Sequence, residues 1–563
     1  MAEALLVALN AKFVHTALAV RSLASYLRSR HREPAILELT INDQFESLRQ
    51  AVYENRAPVV AFSCYLWNIE LMRKLAEALR CMAPETFILF GGPQVSFDAP
   101  ALLHACPYLD GVITGEGEKP LLQLLECGGD YASVENLVWR DGANIVQNPV
   151  GSPLPLADIP FVYDLDNLPS APRILYYESS RGCPFRCGFC LSGGTHLRFL
   201  PEERAISELT ALANAGAHQV KLVDRTFNAD RGRANRIWRA LSALDTRTNF
   251  HFEIAASLLD GEALEILCAA PKGRFQLEIG VQTTNPETLR AITRPDSFEE
   301  IAYATRRLRE AGNMHLHLDL IAGLPHEDLA SFGKSFDDVF ALRPHMLQLG
   351  FLKFLKGSRL RAQAGSFGGR FGDYPPYEVL STDCLSPDDL HALKACEEAV
   401  ERMNHSGFVR HALAFLLERE PSPFAFFMEL GVFLRGRNRA SGPMAALENL
   451  WAFAQKTGRA AEGLRELLLY DWLLPEKRGM LPACLECEPC EKDALFARNF
   501  LRDEAAALIG YTGRSQAWRI CHLHVFPLDM PALLRGEEPV RRRCAMLFDY
   551  IRHTAREVPL RGA

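Results

Sequence analysis

The sequence predicts an α/β protein in three parts: a doubly wound parallel sheet at the N-terminus, a partial β/α barrel of six strands, and a mostly helical C-terminal domain. Three observations predict it. Strand-length apolar runs alternate with amphipathic helical stretches near the start, the same alternation resumes after a Pro- and Asp-rich break, and strand signals thin out beyond about residue 376. A chain of 563 residues is also too long for a single hydrophobic core.

In order, ALLVALN, VVAFSC and TFILFGGP read as buried strands, with HTALAVRSLASYLRSR and NIELMRKLAEALRCM as helices between them. DGVITGEGEKPLLQLLECGG adds a strand, a Gly/Glu turn and a helix, so residues 1–140 form a Rossmann-like domain. Residues 141–175, with NPVGSPLPLADIPFVYDLDNLPSAPR, read as a linker. Residues 176–375 carry six strand signals: RILYYESSRG, HQVKLVDRTF, FHFEIAA, FQLEIGVQT, MHLHLDLIAG and HMLQLGFLK. Helical stretches such as ERAISELTALANAG and FEEIAYATRRLREAG lie between them. Six strands are too few for a closed eight-stranded barrel, hence a partial one. Residues 376–563 are mostly helical, with PDDLHALKACEEAVERMN, AALENLWAFAQKTG and EGLRELLLYDWLL as amphipathic segments and CHLHVFPLDM as a strand candidate.

A formal charge of -7 gives no global attraction to nucleic acid or to an acidic membrane. No apolar run reaches the ~18–20 residues that cross a bilayer. MAEALLVALN lacks a basic n-region and a cleavage site and reads as the first strand. The expected location is therefore cytoplasmic. Fifteen cysteines, an odd number, argue against a disulfide framework and for metal or redox use of some of them. Cys81, Cys106, Cys127, Cys268, Cys396 and Cys544 are scattered and read as small apolar fillers.

Cys183, Cys187 and Cys190 form CxxxCxxC directly after the first barrel strand, at the C-terminal mouth where barrel sites lie. Three thiolates can hold three irons of a [4Fe-4S] cluster and leave the fourth open. A zinc ion completed by His196 is the alternative. Here the chain resembles the radical S-adenosylmethionine (SAM) superfamily, whose signature places an aromatic, here Phe189, before the last cysteine. That resemblance implies that the open iron binds the amino and carboxylate groups of SAM and that an electron from the cluster cleaves its sulfonium. It further implies SAM contacts at Glu253 in FHFEIA, on the ribose; at Gln282 and Arg294 in LEIGVQTTNPETLRAITR; and at Asp319 in DLIAGLP, on the adenosine. On the residues alone, Glu253 and Glu278 also fit ion pairs inside the barrel, and Gly323–Pro325 a plain tight turn. The chain departs from many relatives in lacking a GGE motif; VDRTFN (223–228) stands at the second-strand end instead.

The loops after the N-terminal strands, NAKFVHTA, SCYLWN, GGPQVS and GEGE, contain no GxGxxG, which argues against a dinucleotide. They resemble the cobalamin-binding domain found ahead of many radical SAM barrels. The resemblance covers residues 1 to about 375 and, more weakly, a tail similar to an uncharacterised C-terminal domain of one subgroup. DxHxxG is absent, so the resemblance implies base-off cobalamin without a histidine ligand. The candidate contacts are Lys12, His15, Thr16, Ser63, Tyr65, Trp67, Asn68, Gly91, Gly92, Gln94, Glu116 and Gly117, with Trp67 or Tyr65 against the lower corrin face. Each of them equally suits a helix cap or a domain interface. In the tail, Cys484, Cys487 and Cys490 form CxxCxxC, which suits a soft metal, a second cluster, a contact to substrate, or a structural zinc completed by Cys521 or His522.

The resemblance implies a cobalamin-dependent radical SAM enzyme. In its methylating branch a methyl group passes from SAM through cobalt to an unactivated carbon, after a 5′-deoxyadenosyl radical has removed hydrogen. Radical cyclisation, rearrangement, transfer of an aminocarboxypropyl group and a non-enzymatic cobalamin or redox sensor are the alternatives. The expected partners are a small-molecule substrate of unidentified structure and an external electron donor of flavodoxin or ferredoxin type, with neither membrane nor nucleic acid.

Overall fold

The computed structural model describes residues 2–169, 173–437, 441–477, 481–486, 490–510 and 517–560. The chain divides into two compact units, Met1–Pro387 and Asp388–Ala563.

The first unit opens with a seven-stranded sheet: β1 (Ala4–Asn10), β2 (Ala35–Thr40), β3 (Val59–Ser63), β4 (Phe87–Gly91), β5 (Gly111–Ile113), β6 (Leu137–Asp141) and β7 (Asn144–Gln147). Its order is β2-β1-β3-β4-β5-β6-β7. β1 to β5 are parallel, and β6 and β7 add an antiparallel hairpin. Helices α1 (Leu18–Arg28), α2 (Phe45–Glu54), α3 (Ile69–Met82), α4 (Ala99–Ala105) and α5 (Glu118–Glu126) cover both faces. β1 therefore has two dry sides. Leu5, Val7 and Leu9 join the core that includes Leu48, Met72 and Leu103; Leu6 and Ala8 join the one that includes Val20 and Leu121. Burial on both faces is why the strand reads as one apolar run without alternation. The Rossmann-like expectation holds for this sheet, with three strands, β2, β6 and β7, added to the four expected. AILELT, β2, is a half-buried edge strand carrying Glu38, and so lacks the apolar run of its neighbours. The hairpin β6–β7 also runs across residue 140, keeping the sheet continuous to Gln147.

The second sheet has six parallel strands: β8 (Ile174–Tyr177), β11 (Gln219–Leu222), β12 (Asn249–Ile254), β13 (Phe275–Gln282), β14 (His315–Ala322) and β15 (Met346–Phe351), in the order β15-β14-β13-β12-β11-β8. Between β8 and β11 a short antiparallel pair, β9 (Ser180–Arg181) and β10 (Arg198–Phe199), closes the base of the cysteine loop. Helices α6 (Glu202–Asn214), α7 (Arg231–Ser242), α8 (Gly261–Ala269), α9 (Pro286–Ala291), α10 (Phe298–Ala311) and α11 (Leu329–Phe340) follow or separate the strands. Phe252 packs on Trp238 of α7, so one face of each strand is apolar and turned to the helices. The other face carries polar residues at alternate positions: Lys221, His251, Glu253, Glu278, His317 and Asp319. That alternation is the period-two signature of a strand with unlike sides.

In the second unit, helices span Arg410–Leu417, Pro423–Arg435, Pro443–Lys456, Leu464–Leu473 and Glu491–Asp503. They accompany a three-stranded antiparallel sheet of Cys521–Phe526, Cys544–Asp549 and Thr554–Val558. The strand expected in CHLHVF is the first of these. Among the described residues, no helix is long and apolar enough to cross a membrane.

Candidate functional site

The cysteine loop begins at Gly182, whose φ is +102° and where a Cβ would stand 2.3 Å from the carbonyl oxygen of His196. Only glycine fits that turn. Inside the loop, the Gly194 N–H donates to Phe185 O at 2.7 Å and the Cys190 N–H to Cys187 O at 3.1 Å. The Gly188 N–H reaches out to Ile292 O at 2.9 Å, tying the loop to the segment that carries Arg294. Cys183 is buried, and its Sγ lies 3.6 Å from the Thr226 hydroxyl at the end of β11. Arg294 directs Nη1 to Cys187 Sγ at 3.7 Å, Nη2 to Gly280 O, and pairs through Nε with Asp296 at 2.8 Å.

Burial pushes the Cys187 thiol up, Arg294 opposes this, and the nearby Cys190 and Cys183 push it up further. The three thiols thus face a common space. Among the described residues, however, the only three Cys, His, Asp or Glu side chains with ligand atoms all within 4.8 Å of one another are Glu278, His317 and Asp319. Three thiols on one loop suit three irons of a [4Fe-4S] cluster. His196, the candidate zinc ligand, is exposed and belongs to no such set.

The expected SAM residues gather beside this loop. β13 is irregular between Gly280 and Gln282, and Gln282 adopts a left-handed φ of 71°. Its amide nitrogen stands where a Cβ on Gly280 would be, 2.1 Å away, and Arg294 Nη2 is 3.5 Å from the same point. Gln282 Oε1 is buried without a hydrogen-bond partner. Asp319 pairs in register with Gly280. Its Oδ1 pairs with His317 Nε2 at 3.0 Å. Strain and an orphaned acceptor at one strand end are features that a ligand would satisfy.

Glu253 sits one strand away, 3.5 Å from Lys221 Nζ. Lys221 also holds Glu278 at 2.8 Å, and His251 Nε2 is 3.0 Å from the same carboxylate. Burial alone would raise Glu278, but His251 and Lys221 outweigh it and hold its carboxyl at about 2. Burial lifts Glu253 above the usual carboxylate range, with Lys221 pulling the other way. Burial works against an imidazolium at His317, yet the Asp319 carboxylate outweighs it and raises the imidazole. Glu278 thus makes the interior ion pair expected as an alternative reading of the sequence. Lys221, His251 and His317 were not singled out from the sequence; the polar alternation in QVKL, FHFEI and HLHLD was their signal, since buried parallel strands usually read as continuous apolar runs.

At the N-terminal sheet, strand order reverses between β1 and β3. Trp67 bridges that switch point: its indole N–H donates to Leu9 O at 3.0 Å, and its ring stacks on Tyr65 with centroids 4.5 Å apart and planes 10° apart. Trp67 is 48% exposed, and Phe97 and Phe13, on neighbouring loops and absent from the sequence expectation, are 50% and 64% exposed. An aromatic rim of this kind fits a large flat ligand. Gly92 has φ +108°, and a Cβ there would meet Cys64 O at 2.6 Å. Gly91, Gly117, Ser63 and Lys12 lie on the same loops.

The remaining candidates on these loops make protein contacts. Asn68 accepts from the Tyr65 N–H and donates to Leu9 O and Ser63 O. Thr16 donates to Ile174 O at 2.9 Å, and His15 Nδ1 meets the Tyr176 hydroxyl at 2.8 Å, both on β8. Gln94 donates to the Tyr377 hydroxyl at 2.5 Å. Glu116 pairs with Arg181 at 3.0 Å and with Arg198. In the second unit Cys484 is half-buried and Cys490 exposed, while Cys487 lies outside the described residues. Among the described residues, neither Cys484 nor Cys490 shares a compact ligand set with Cys521 or His522.

Three family models match parts of the chain. Residues 4–125 match the B12 binding domain, 177–339 the radical SAM superfamily, and 365–548 a protein family of unknown function, DUF4080. The cobalamin-dependent radical SAM methyltransferase TokK of Streptomyces tokunonensis is 28% identical over 305 residues, 49% of this chain and 43% of that protein. The 2-(S-pantetheinyl)-carbapenam-3-carboxylate methyltransferase of Streptantibioticus cattleyicolor is 25% identical over 421 residues, 66% of this chain and 60% of that one. The chain thus spans about half the length of these relatives. The structure of the radical SAM methyltransferase TsrM from Kitasatospora setae, with cobalamin and a [4Fe-4S] cluster bound, superposes with a TM-score of 0.56 at 18% identity, covering 80% of this chain and 91% of that one. That likeness extends to the fold.

Proposed function

We propose that this chain, which joins a B12-binding domain to a radical SAM domain, is a cobalamin-dependent radical SAM methyltransferase that acts on an unactivated carbon of a small molecule. The observation that carries the reading is the cysteine triplet on the loop after the first barrel strand, set beside Arg294 and the strained Gln282. The names of the relatives, both methyltransferases, support the reaction class.

In this reading Cys183, Cys187 and Cys190 hold the cluster. Glu253 accepts from the hydroxyls of SAM's ribose, Asp319 contacts the adenosine, and Gln282 and Arg294 fix the rest of that molecule. Tyr65 and Trp67 would support the lower corrin face, and His15 meets the Tyr176 hydroxyl through Nδ1. When bound, the cluster, SAM and cobalamin supply reductive cleavage of a sulfonium and a transferable methyl group. The protein's part is to hold these groups and a carbon in line and to keep water out, which requires no protein base at the central step. We assign both cofactor sites to residues 1–375, the segment 376–563 to an accessory domain, and the single-electron supply to a flavodoxin or ferredoxin in the cytoplasm.

Anaerobic reconstitution with iron, sulfide, SAM, cobalamin and a low-potential reductant tests the reading. Wild type should form 5′-deoxyadenosine and carry about one cobalt per chain. C183A, C187A or C190A should lose 5′-deoxyadenosine formation, by at least about a hundredfold; retained cleavage in these variants sinks the assignment, and a wild type that fails to retain cobalt removes the cobalamin part.

A further inference from the structure

Beyond β15 the chain leaves the second sheet and then runs back beside itself. The Phe354 N–H donates to Tyr377 O at 2.8 Å, the Val379 N–H donates to Leu352 O at 2.9 Å, and Lys353 bridges antiparallel to Glu378. Leu352, Phe354, Tyr377 and Val379 are buried. Arg361 lies 4.8 Å from the ring centre of Phe371 and 4.9 Å from that of Tyr377, and its Nη1 donates to Phe354 O at 2.7 Å, so the excursion between the two arms is held to its own base. None of the cofactor contacts falls to this segment, yet it touches the loops of both expected cofactors.

At one end it grips the loop after β4. Lys356 Nζ pairs with Asp98 at 2.5 Å, Gln94 donates to the Tyr377 hydroxyl, and Phe97 lies so close to Gly357 that a Cβ there would stand 2.2 Å from the ring. At the other end it grips the cysteine loop. The Leu360 N–H donates to Gly188 O at 2.9 Å, and Arg359 Nη2 donates to Thr293 Oγ1 at 2.6 Å, beside Arg294. A Cβ on Gly188 would stand 2.8 Å from that same guanidinium nitrogen. The backbone of Gly188 is thereby held by Leu360 through its carbonyl and by Ile292 through its N–H. From Lys356 to Leu360 the chain spans about 14 Å at most, at roughly 3.6 Å per residue. Ser358 within it is buried, and its hydroxyl accepts from the Arg361 N–H at 3.3 Å. A stretch this short and pinned at both ends has little slack, so a shift of the loop after β4 is passed to Gly188.

We infer that residues Lys356–Leu360 form a brace through which cobalamin and SAM bind cooperatively, with Lys356 and Tyr377 as positioning residues at the cobalamin end. The inference rests on the proposed function, which gives the loop after β4 to cobalamin and the cysteine loop to the cluster and SAM. A ligand that orders the loop after β4 also orders the brace, and with it the backbone of Gly188 between Cys187 and Cys190. The second ligand then meets loops that are already ordered and loses less conformational freedom on binding. Coupling between two sites is reciprocal, so SAM strengthens cobalamin binding by the same factor.

Equilibrium dialysis of the cluster-reconstituted protein against labelled SAM, with and without saturating hydroxocobalamin, measures the coupling; reductant is left out so that neither ligand is consumed. In wild type, cobalamin should strengthen SAM binding about fivefold or more, the usual range for linked sites. K356M/Y377F removes the ion pair and the hydrogen bond to the loop after β4 while keeping the bulk of both side chains. The factor should then fall to about twofold or less, whatever becomes of each affinity alone, and K356R should keep the wild-type factor. D98N, which cuts the ion pair from its other end, should lower the factor too. Hydrogen exchange adds a readout that packing alone would not move: hydroxocobalamin without SAM should slow exchange in the peptide that contains Gly188 in wild type, and not in K356M/Y377F. A wild-type factor near one overturns the inference, because the sites are then independent. A factor that stays at the wild-type value in K356M/Y377F, or in D98N should the double variant fail to hold its iron, overturns it as well and gives the coupling to direct contact between the two ligands. A wild type that binds both ligands cooperatively but forms no 5′-deoxyadenosine upholds the brace and counts against the proposed function; one that does not retain cobalamin overturns both.

Discussion

Lys221 shows how one half-buried cation sets the state of two carboxylates. It stands between Glu253 and Glu278, and its own ammonium is raised: burial disfavours the charge, and the two glutamates outweigh that. Take it away and both carboxylates keep their burial but lose their main opposing charge, so both move up. Glu253 already lies above the usual carboxylate range and has the least margin. A carboxyl raised in this way gains its proton as pH falls through its value, and a protonated Glu253 is a poorer acceptor for ribose hydroxyls. K221M should therefore bind SAM with an affinity that falls more steeply on acidification than that of wild type. K221R should restore the wild-type pH dependence. Equilibrium dialysis with labelled SAM on the anaerobic protein measures it; a K221M curve parallel to wild type would mean that Lys221 only packs the interior.

At the scale of the element, two glycines make opposite demands. A Cβ on Gly182 would meet a backbone oxygen, and the residue's φ is one that L side chains avoid, so G182A has to deform the cysteine loop. Its iron content after reconstitution should fall by half or more. A Cβ on Gly280 would meet the far end of the Gln282 side chain, which can swing away. G280A should then cost about 1 kcal/mol of stability or less, keep its iron, and bind SAM about tenfold more weakly as Gln282 and Arg294 are displaced. Iron analysis and SAM dialysis on the pair distinguish loop from strand. The glycine and cysteine positions of these turns stand in the sequence, and so do the fully buried strands of the first sheet. β2 was hidden because an edge strand needs no unbroken apolar run, and AILELT spends a position on Glu38, which receives the Ala17 N–H at 2.7 Å and an Arg21 ion pair at 2.6 Å. The roles of Glu116, Thr16, His15 and Gln94 were equally hidden. Their partners, Arg181, Ile174, Tyr176 and Tyr377, lie tens to hundreds of residues away, and only the folded chain brings them together.

At the scale of the molecule, the two sheets of the first unit are joined by a compact ionic knot. Arg181, on β9, reaches Glu118 at the start of α5, Glu116 just before it, and Glu178 after β8. Glu118 is buried and also receives the Ser22 hydroxyl at 2.9 Å; burial alone would raise its carboxyl, and Arg181 with its hydrogen bonds brings the balance below the ordinary value. A carboxyl lowered in the folded state adds stability above its unfolded value, near pH 4.3, and loses it as pH falls through the folded one. R181M leaves Glu116 with Arg198 but strips Glu118 and Glu178 of their cation. Breaking a buried pair from one side costs about 3–5 kcal/mol. At pH 7.5 the unfolding midpoint of the first unit should drop by several degrees. In R181M, burial without its counter-charge raises the Glu118 carboxyl, so Glu118 protonates on folding at mildly acid pH and the penalty shrinks. The gap between wild type and R181M should therefore narrow from pH 7.5 to pH 5, and R181M/E118Q should recover part of the loss at pH 7.5, since the double change removes the orphaned charge along with its partner. Scanning calorimetry at the two pH values decides it: a gap independent of pH would reduce Arg181 to a packing role and leave the joint between the sheets to their apolar contacts.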